Sequence, residues 1–171
     1  MSGGRNSLEL VARHEAGHCL GLIETGHGVR QVTIQRRTQF EGTKFETNEY
    51  SGKAYPQSPV VGDREELMVG LAGYAAEGIT WRDVPDSDED RRQAEPRAAN
   101  LAKKLAEDKP DEVTETAEQI LDAAQVAAAK LVADQADLLG RITRRLIGRR
   151  ESQVDGKCTV SGEELLRPDP D

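Results

Sequence analysis

The three histidines of the chain all lie in one short stretch, VARHEAGHCLGLIETGH, which occupies positions 11–27. Two of them, His14 and His18, bracket Glu15 in the pattern H-E-x-x-H. Side chains four residues apart share one face of a helix, so both imidazoles can bind the same metal ion. In zinc hydrolases with this pattern the glutamate is the general base. The sequence therefore predicts one Zn²⁺ site per chain, with Glu15 as the catalytic residue.

A zinc site of this kind needs a third protein ligand, and the sequence offers several candidates. Glu24 stands where the extended metzincin motif carries its last histidine. His27 lies just beyond that spacing, in a turn flanked by glycines. The acidic run DSDED provides Asp86, Asp88 and Asp90, whose alternative role is to favour the start of the next helix. Spacing alone leaves these candidates open.

The H-E-x-x-H motif requires a helix, and its flanking residues predict one that starts near Asn6 and is stopped by Gly26 and Gly28. The next segment, Val29–Arg37, alternates apolar and polar residues, which is typical of a strand with one buried face. In the strand and loop region 28–60, the stretch Thr38–Pro59 is polar. It contains the stretch TKFET, which can pair with the strand as a small hairpin.

The strand that follows the zinc helix offers a place for a substrate. An exposed strand edge can bind an extended peptide through main-chain hydrogen bonds. We expect such an edge, holding the peptide across the zinc, at Val32, Thr33, Ile34 and Gln35. The alternative is that the hairpin covers this edge.

The remaining sequence predicts a bundle of helices. Asp63–Gly78 carries an apolar stripe and two inner glycines, which let another helix approach closely. A third helix is predicted over Ser87–Asp108, with a proline inside it. Asp111–Arg150 forms a helical hairpin with a break near residues 134–137. A short extended CTV, a helix SGEELL and a frayed tail over residues 167–171 complete the chain.

Length and composition suit one domain over residues 1–171: a mainly α helical bundle with a small β-strand or hairpin element beside the zinc helix. The net charge of -8 argues against a nucleic-acid partner. Cys19 and Cys158 lie far apart, so no disulfide framework is indicated. The sequence has neither a signal peptide nor an apolar run of roughly 20 residues, so we expect no membrane insertion and a cytoplasmic location.

Four stretches follow one another along the chain as VARHEAGHCLGL, VRQVTIQRR, LMVGLAGYAAEGI and CTVSGEELL. In this order they resemble the zinc-binding helix, the following strand, the second helix and the tail of the peptidase domain of the FtsH-type AAA+ zinc metalloproteases. Motif order and spacing agree over most of the chain, which makes the resemblance more specific than the zinc motif alone. The resemblance implies an FtsH peptidase-like fold.

In that family the third zinc ligand is an aspartate on a later helix, a few residues before an alanine-rich run. Asp90 precedes Ala94 by the matching interval, so the resemblance implies that Asp90 joins the two motif histidines as a metal ligand. The local spacing departs from the family pattern, with an extra turn and Pro96. Asp86 or Asp88 therefore remain alternatives to Asp90.

The resemblance also assigns less direct roles. The family carries a second acidic residue after AAE, where this chain has Gly78, and this leaves Glu77 with a structural role. Glu24 becomes an ordinary polar residue at a helix end. Tyr74 and Trp81 are interpreted as core or lid packing rather than as specificity pockets.

The function that the resemblance implies is that of a zinc-dependent metalloendopeptidase acting on unfolded or docked polypeptides. No G-x-x-x-x-G-K-[ST] phosphate loop occurs, so we expect no ATPase motor in this chain and a separate unfoldase or adaptor as a possible partner. Ring assembly in the family makes a homo-oligomer possible. The alternative is a catalytically silent module that binds a peptide or a partner, although binding alone does not require a base such as Glu15.

Overall fold

The computed structural model describes residues 7–41, 45–153 and 156–168, and for 37–41 and 45–48 the backbone only. In this part of the chain the fold is mainly helical with one small antiparallel sheet, as predicted. The helices are α1 (Leu8–Glu24), α2 (Asp63–Glu77), α3 (Glu89–Asp108), α4 (Ala117–Asp134), α5 (Ala136–Glu151) and α6 (Gly162–Leu166). The strands are β1 (Val29–Glu41), β2 (Phe45–Pro56) and β3 (Lys157–Ser161).

The three strands are ordered β2-β1-β3 in the sheet. Val32 of β1 lies opposite Ala54 of β2 on one side and opposite Val160 of β3 on the other. The expectation of an exposed edge is therefore wrong for all four residues, Val32, Thr33, Ile34 and Gln35. Strand β3 comes from the far end of the chain, and such long-range pairing leaves no mark in local periodicity. The strand at the outside of the sheet that contacts α1 is β2.

Helix α1 carries one face of the larger apolar core. The Ser7 hydroxyl caps it by accepting a hydrogen bond from the Leu10 amide, while Asn6, the expected start, lies outside the described residues. Gly26 follows the helix with φ of 78°, a left-handed conformation that suits glycine. The buried face of α1 packs with the sheet and with α5, and the side chains involved include Val11, Leu20, Leu22, Ile34, Val160, Ile142 and Leu146.

Helices α1 and α2 cross at close range because small residues stand at their contact. A Cβ atom at Gly17 of α1 would lie 2.2 Å from the carbonyl oxygen of Ala72. A Cβ atom at Gly73 of α2 would lie 2.7 Å from Cε1 of His14. The prediction that glycines of α2 admit a neighbouring helix is confirmed for Gly73. It is wrong for Gly70, where a Cβ atom would meet nothing within 4 Å.

Helices α3, α4 and α5 complete the bundle, and α4 and α5 form the predicted hairpin. The break falls at Gln135, which ends α4 and precedes α5. Helix α4 starts only at Ala117, because Thr116 opens it with a capping box. Helix α3 begins at Glu89 and continues through Pro96. Among the described residues, no helix has the length and apolar character needed to cross a membrane.

The last described segment is attached to α5. The Ser161 hydroxyl caps α6 by accepting a hydrogen bond from the Glu164 amide. The Arg145 guanidinium of α5 donates to the main-chain carbonyls of Glu164, Leu165 and Arg167. Of the tail predicted to fray, Arg167 is thus held in place, and residues 169–171 lie outside the described part of the chain.

Candidate metal centre

The two motif histidines project from α1 toward α2. Their Nε2 atoms are 2.9 Å apart, and their rings stand at 86° to each other. Both side chains are largely buried, with 17% of His14 and 12% of His18 exposed. Gly73 lets both rings approach α2, since a Cβ atom there would also lie 2.8 Å from Cε1 of His18. The four-residue spacing thus brings the two imidazoles together.

Asp90 meets the two imidazoles from the first turn of α3. Its Oδ2 atom lies 2.8 Å from Nε2 of His14 and 3.4 Å from Nε2 of His18. A tetrahedral zinc ion with ligands at about 2.0–2.1 Å keeps those ligands about 3.3 Å apart. The three atoms are close to that separation, although zinc ligation itself stays a prediction.

The remaining ring nitrogens are held by α2. Nδ1 of His14 donates to Oε1 of Glu77 at 2.5 Å, and Nδ1 of His18 donates to the Val69 carbonyl at 2.8 Å. We assign the proton to Nδ1 in both rings because each partner can only accept. Both Nε2 atoms are then available to a metal, and partners of this kind orient metal-binding histidines. The expectation of a structural role for Glu77 missed this contact.

The charges of the cluster suit a cation. Burial alone lowers the pKa of His14, but hydrogen bonds with Asp90 and Glu77 outweigh it and raise that pKa to about 10. Burial works against the charge of Asp90 as well, yet the two imidazoles hold its pKa well below the usual range. Without a metal, a proton has to stand between these donor atoms. A divalent cation that replaces the proton fits the two nitrogens and one carboxylate oxygen.

Glu15 points from α1 toward β2. Its side chain is buried, and its carboxylate accepts a hydrogen bond from the main-chain amide of Ala54. A Cβ atom at Gly52 would lie 2.6 Å from Oε1, so a larger residue does not fit there. The other oxygen, Oε2, is buried and has no hydrogen-bond partner among the described residues. Burial raises the pKa of this carboxyl group, and its unpaired oxygen suits a water molecule at a metal site.

These residues line one open cleft with a volume of about 370 Å³. Residues of β2 and of α3 line the cleft as well. Leu22, Val60 and Val69 contribute apolar surface. An ion pair between Arg97 and Glu66 also lines the cleft. The lining of the cleft is therefore partly apolar and partly charged.

Three of the other candidate ligands lie apart from the cluster. Glu24 is exposed at the end of α1. His27 contacts Oε2 of Glu65 at 3.1 Å, in the region between α1 and the start of α2. Asp86 is 87% exposed and forms an ion pair with Arg91 at 2.9 Å. The geometry gives none of these three residues a place beside the two imidazoles.

Two further acidic residues, Asp88 and Glu15, lie next to the cluster of His14, His18 and Asp90. Asp88 is the N-cap of α3, and its Oδ1 accepts a hydrogen bond from the Asp90 amide at 3.2 Å. Glu15 offers a carboxylate oxygen within 4.8 Å of a ring nitrogen of each histidine, so it competes with Asp90 as a ligand. Asp90 is the better candidate because it lies nearer to both rings and because the amide of Ala54 directs Glu15 toward β2.

No family model matches this sequence, and a search of curated proteins finds no relative. The likeness to FtsH-type peptidases therefore stays a resemblance of motifs and their order. The geometry of the cluster and the cleft carries the functional argument.

Proposed function

We propose that the protein is a zinc-dependent metalloendopeptidase. One observation carries the proposal: donor atoms of His14, His18 and Asp90 lie within 3.4 Å of one another, and Glu15, whose Oε2 has no hydrogen-bond partner among the described residues, lines the same cleft. This is the arrangement that metal-assisted hydrolysis of a peptide bond requires. The resemblance of the motifs to FtsH-type peptidase domains supports the same assignment.

Each residue has a distinct task in this proposal. His14, His18 and Asp90 would hold the zinc ion, which supplies Lewis acidity that polarises a peptide carbonyl and acidifies water. Glu15 accepts a proton from the attacking water at Oε2 and delivers it to the leaving amine. The raised pKa of the buried carboxyl suits a group that takes up a proton and releases it again. The Ala54 amide keeps the carboxylate oriented for both transfers.

We assign substrate binding to β2 in place of β1. Strand β2 lies at the outside of the sheet, and residues 52–54 line the cleft. Its Ala54 amide faces Glu15, so a chain paired with this edge passes beside the proposed base. The substrate is an extended polypeptide segment, in an unfolded protein or in one that docks here with a flexible loop.

A matched pair of variants on α1 tests the proposal. Glu15→Gln removes the base, whereas Glu24→Gln makes the same chemical change at an exposed position of the same helix. We expect about one zinc ion per chain in the wild type and in both variants, measured by atomic emission. Cleavage of a reduced, carboxymethylated protein should fall about 10²- to 10⁴-fold in Glu15→Gln and stay unchanged in Glu24→Gln.

The ligand set and the alternative function are decided by further results. Asp90→Ala and His14→Ala should lose zinc, while Asp86→Ala should retain it. A wild-type protein that binds zinc but cleaves at the rate of Glu15→Gln supports a silent peptide-binding module. A wild-type protein that cannot be loaded with zinc overturns the metallopeptidase proposal.

A further inference from the structure

Tyr74 of α2 is a core residue that also lies beside the proposed metal ligands. Its side chain is fully buried, and its ring lies 5.7 Å from the ring of His14 in an edge-on arrangement. Its hydroxyl donates a hydrogen bond to Oδ1 of Asp88. The same Oδ1 atom accepts the main-chain amide of Asp90. One carboxylate oxygen thus joins the buried core of α2 to the residue that would bind the metal from α3.

We propose that Tyr74 is a positioning residue for the third metal ligand and acts on Asp90 through Asp88. The inference rests on the proposed zinc site. Asp90 lies in the first turn of α3, where amides have no helical partner and the backbone frays unless a cap holds it. Asp88 supplies that cap, and Tyr74 fixes the cap to a buried helix. The distance from Asp90 to the two imidazoles is then set by α2.

The rest of α2 supports this role. Val69 and Glu77 of the same helix accept the Nδ1 protons of His18 and His14. Val69, Gly73 and Glu77 are spaced four residues apart and face α1. Tyr74 follows Gly73 by one residue, which rotates its side chain by about 100° around the helix, toward α3. Helix α2 supplies none of the proposed ligands, yet through these contacts it orients all three.

A purely structural reading makes different predictions. In that reading the ring of Tyr74 fills the core and Asp88 caps α3 without help, so removing the hydroxyl leaves the metal site unchanged. Tyr74→Phe removes only the hydroxyl and keeps the ring. Tyr50→Phe is the matched control. Tyr50 is a partly buried tyrosine of β2 that packs on the larger apolar core, with its ring near the Arg150 guanidinium.

Two measurements test this inference. Competition with a chromophoric chelator gives the Kd for Zn²⁺, and the visible spectrum of the Co²⁺-loaded protein reports the geometry of the metal ligands. We expect Tyr74→Phe to raise the Kd for Zn²⁺ about 10- to 100-fold, as loss of an orienting contact does, and to change the Co²⁺ spectrum. Tyr50→Phe should change neither. An unchanged Kd in Tyr74→Phe, with normal zinc binding by the wild type, overturns this inference alone. A wild-type protein that binds no zinc overturns the proposed function as well.

A double-mutant cycle separates positioning from general destabilisation. If Tyr74 acts on Asp90 through Asp88, Tyr74→Phe should weaken Zn²⁺ binding in the wild type but not further in an Asp88→Ala background, in which the link is already cut. An equal loss in both backgrounds shows that Tyr74 supports the histidines or the fold instead. Amide exchange in the metal-free protein adds a second readout, since we expect faster exchange at Asp90 with unchanged protection along α2. Faster exchange throughout α2 contradicts the positioning role.

Discussion

At the scale of single residues, neighbours on α1 have different tasks because different elements pack against them. His14 and Glu15 are adjacent in sequence, but His14 faces α2 and α3 while Glu15 faces β2. Carboxylates around His14 raise its pKa, and burial raises that of Glu15. The first effect suits the proposed role of His14 as a metal ligand that exchanges a proton for a cation. The second effect, burial, increases the proton affinity of the Glu15 carboxylate, which suits the proposed general base.

The pKa of His14 predicts how zinc binding depends on pH. Its value of about 10 in the metal-free protein means that the ring is protonated at pH 8, whereas a metal ligand must be neutral. Zinc binding at pH 8 should therefore release at least about one proton, and zinc affinity should rise with pH until that proton is gone near pH 10. Calorimetric titration in buffers of different ionisation enthalpy measures the release.

Glu77→Gln provides the control for this prediction. The variant weakens the hydrogen bond with residue 77 that raises the pKa of His14, so the pH at which proton release declines should move downward. Glu24→Gln lies outside the cluster and should leave that pH unchanged. Zinc binding at pH 8 without proton release contradicts the assignment of a protonated His14.

The sequence reveals part of this site and hides the rest for a physical reason. The spacing of His14 and His18 is a property of one helix, so their convergence can be predicted locally. Asp90 was singled out among nearby acids only through a resemblance. The contacts of Glu77 and Tyr74 depend on how α2 crosses α1 and α3, and helical periodicity indicates only that these residues face other helices.

At the scale of secondary-structure elements, the crossing of α1 and α2 controls the site. Periodicity predicted α2 over Asp63–Gly78, and the helix ends one residue earlier, at Glu77. Helix ends follow from local capping, so they are predictable. The sheet was harder, because the pairing of β3 with β1 joins distant parts of the chain. Local periodicity does not predict the pairing of β3 with β1. For this reason the sequence places the substrate edge on β1 and not on β2.

Two glycine-to-alanine variants test the close crossing. Gly17→Ala should destabilise the protein by about 1–3 kcal/mol, because its Cβ atom would lie 2.2 Å from the Ala72 carbonyl oxygen and would force the helices apart. Gly148→Ala, at an exposed position of α5 where a Cβ atom meets nothing within 4 Å, should stabilise it by up to about 1 kcal/mol through helix propensity. Urea unfolding followed by circular dichroism measures both. Destabilisation of equal size in the two variants contradicts a specific contact at Gly17.

At the scale of the whole molecule, the residues of the candidate metal centre come from elements that build two apolar cores. One core contains α1, the sheet and α5, and supplies the helix with both histidines. The other contains residues of α2, α3 and α4, and supplies Asp90. Met68 of α2 packs against both. Residues of both cores line the cleft, such as Leu22 of the first and Ala94 of the second, and α2 contributes side chains to both cores.

The proposed binding of a substrate along β2 predicts whether the folded or the unfolded form of that substrate is cleaved. In the proposed binding mode the substrate pairs with the β2 edge as one extended segment, which a folded domain does not offer, and the sequence has no phosphate loop for a motor that unfolds substrates. A disulfide-rich substrate protein should therefore be cleaved at least about 100-fold faster after reduction and carboxymethylation than in its folded, oxidised form, because productive binding requires local unfolding. Mass spectrometry of the products measures both rates. Cleavage of both forms should fall about 10²- to 10⁴-fold in Glu15→Gln, which excludes a contaminating protease. Equal cleavage of the two forms, with an inactive Glu15→Gln, contradicts binding along the β2 edge and indicates that exposed loops dock at the metal centre directly.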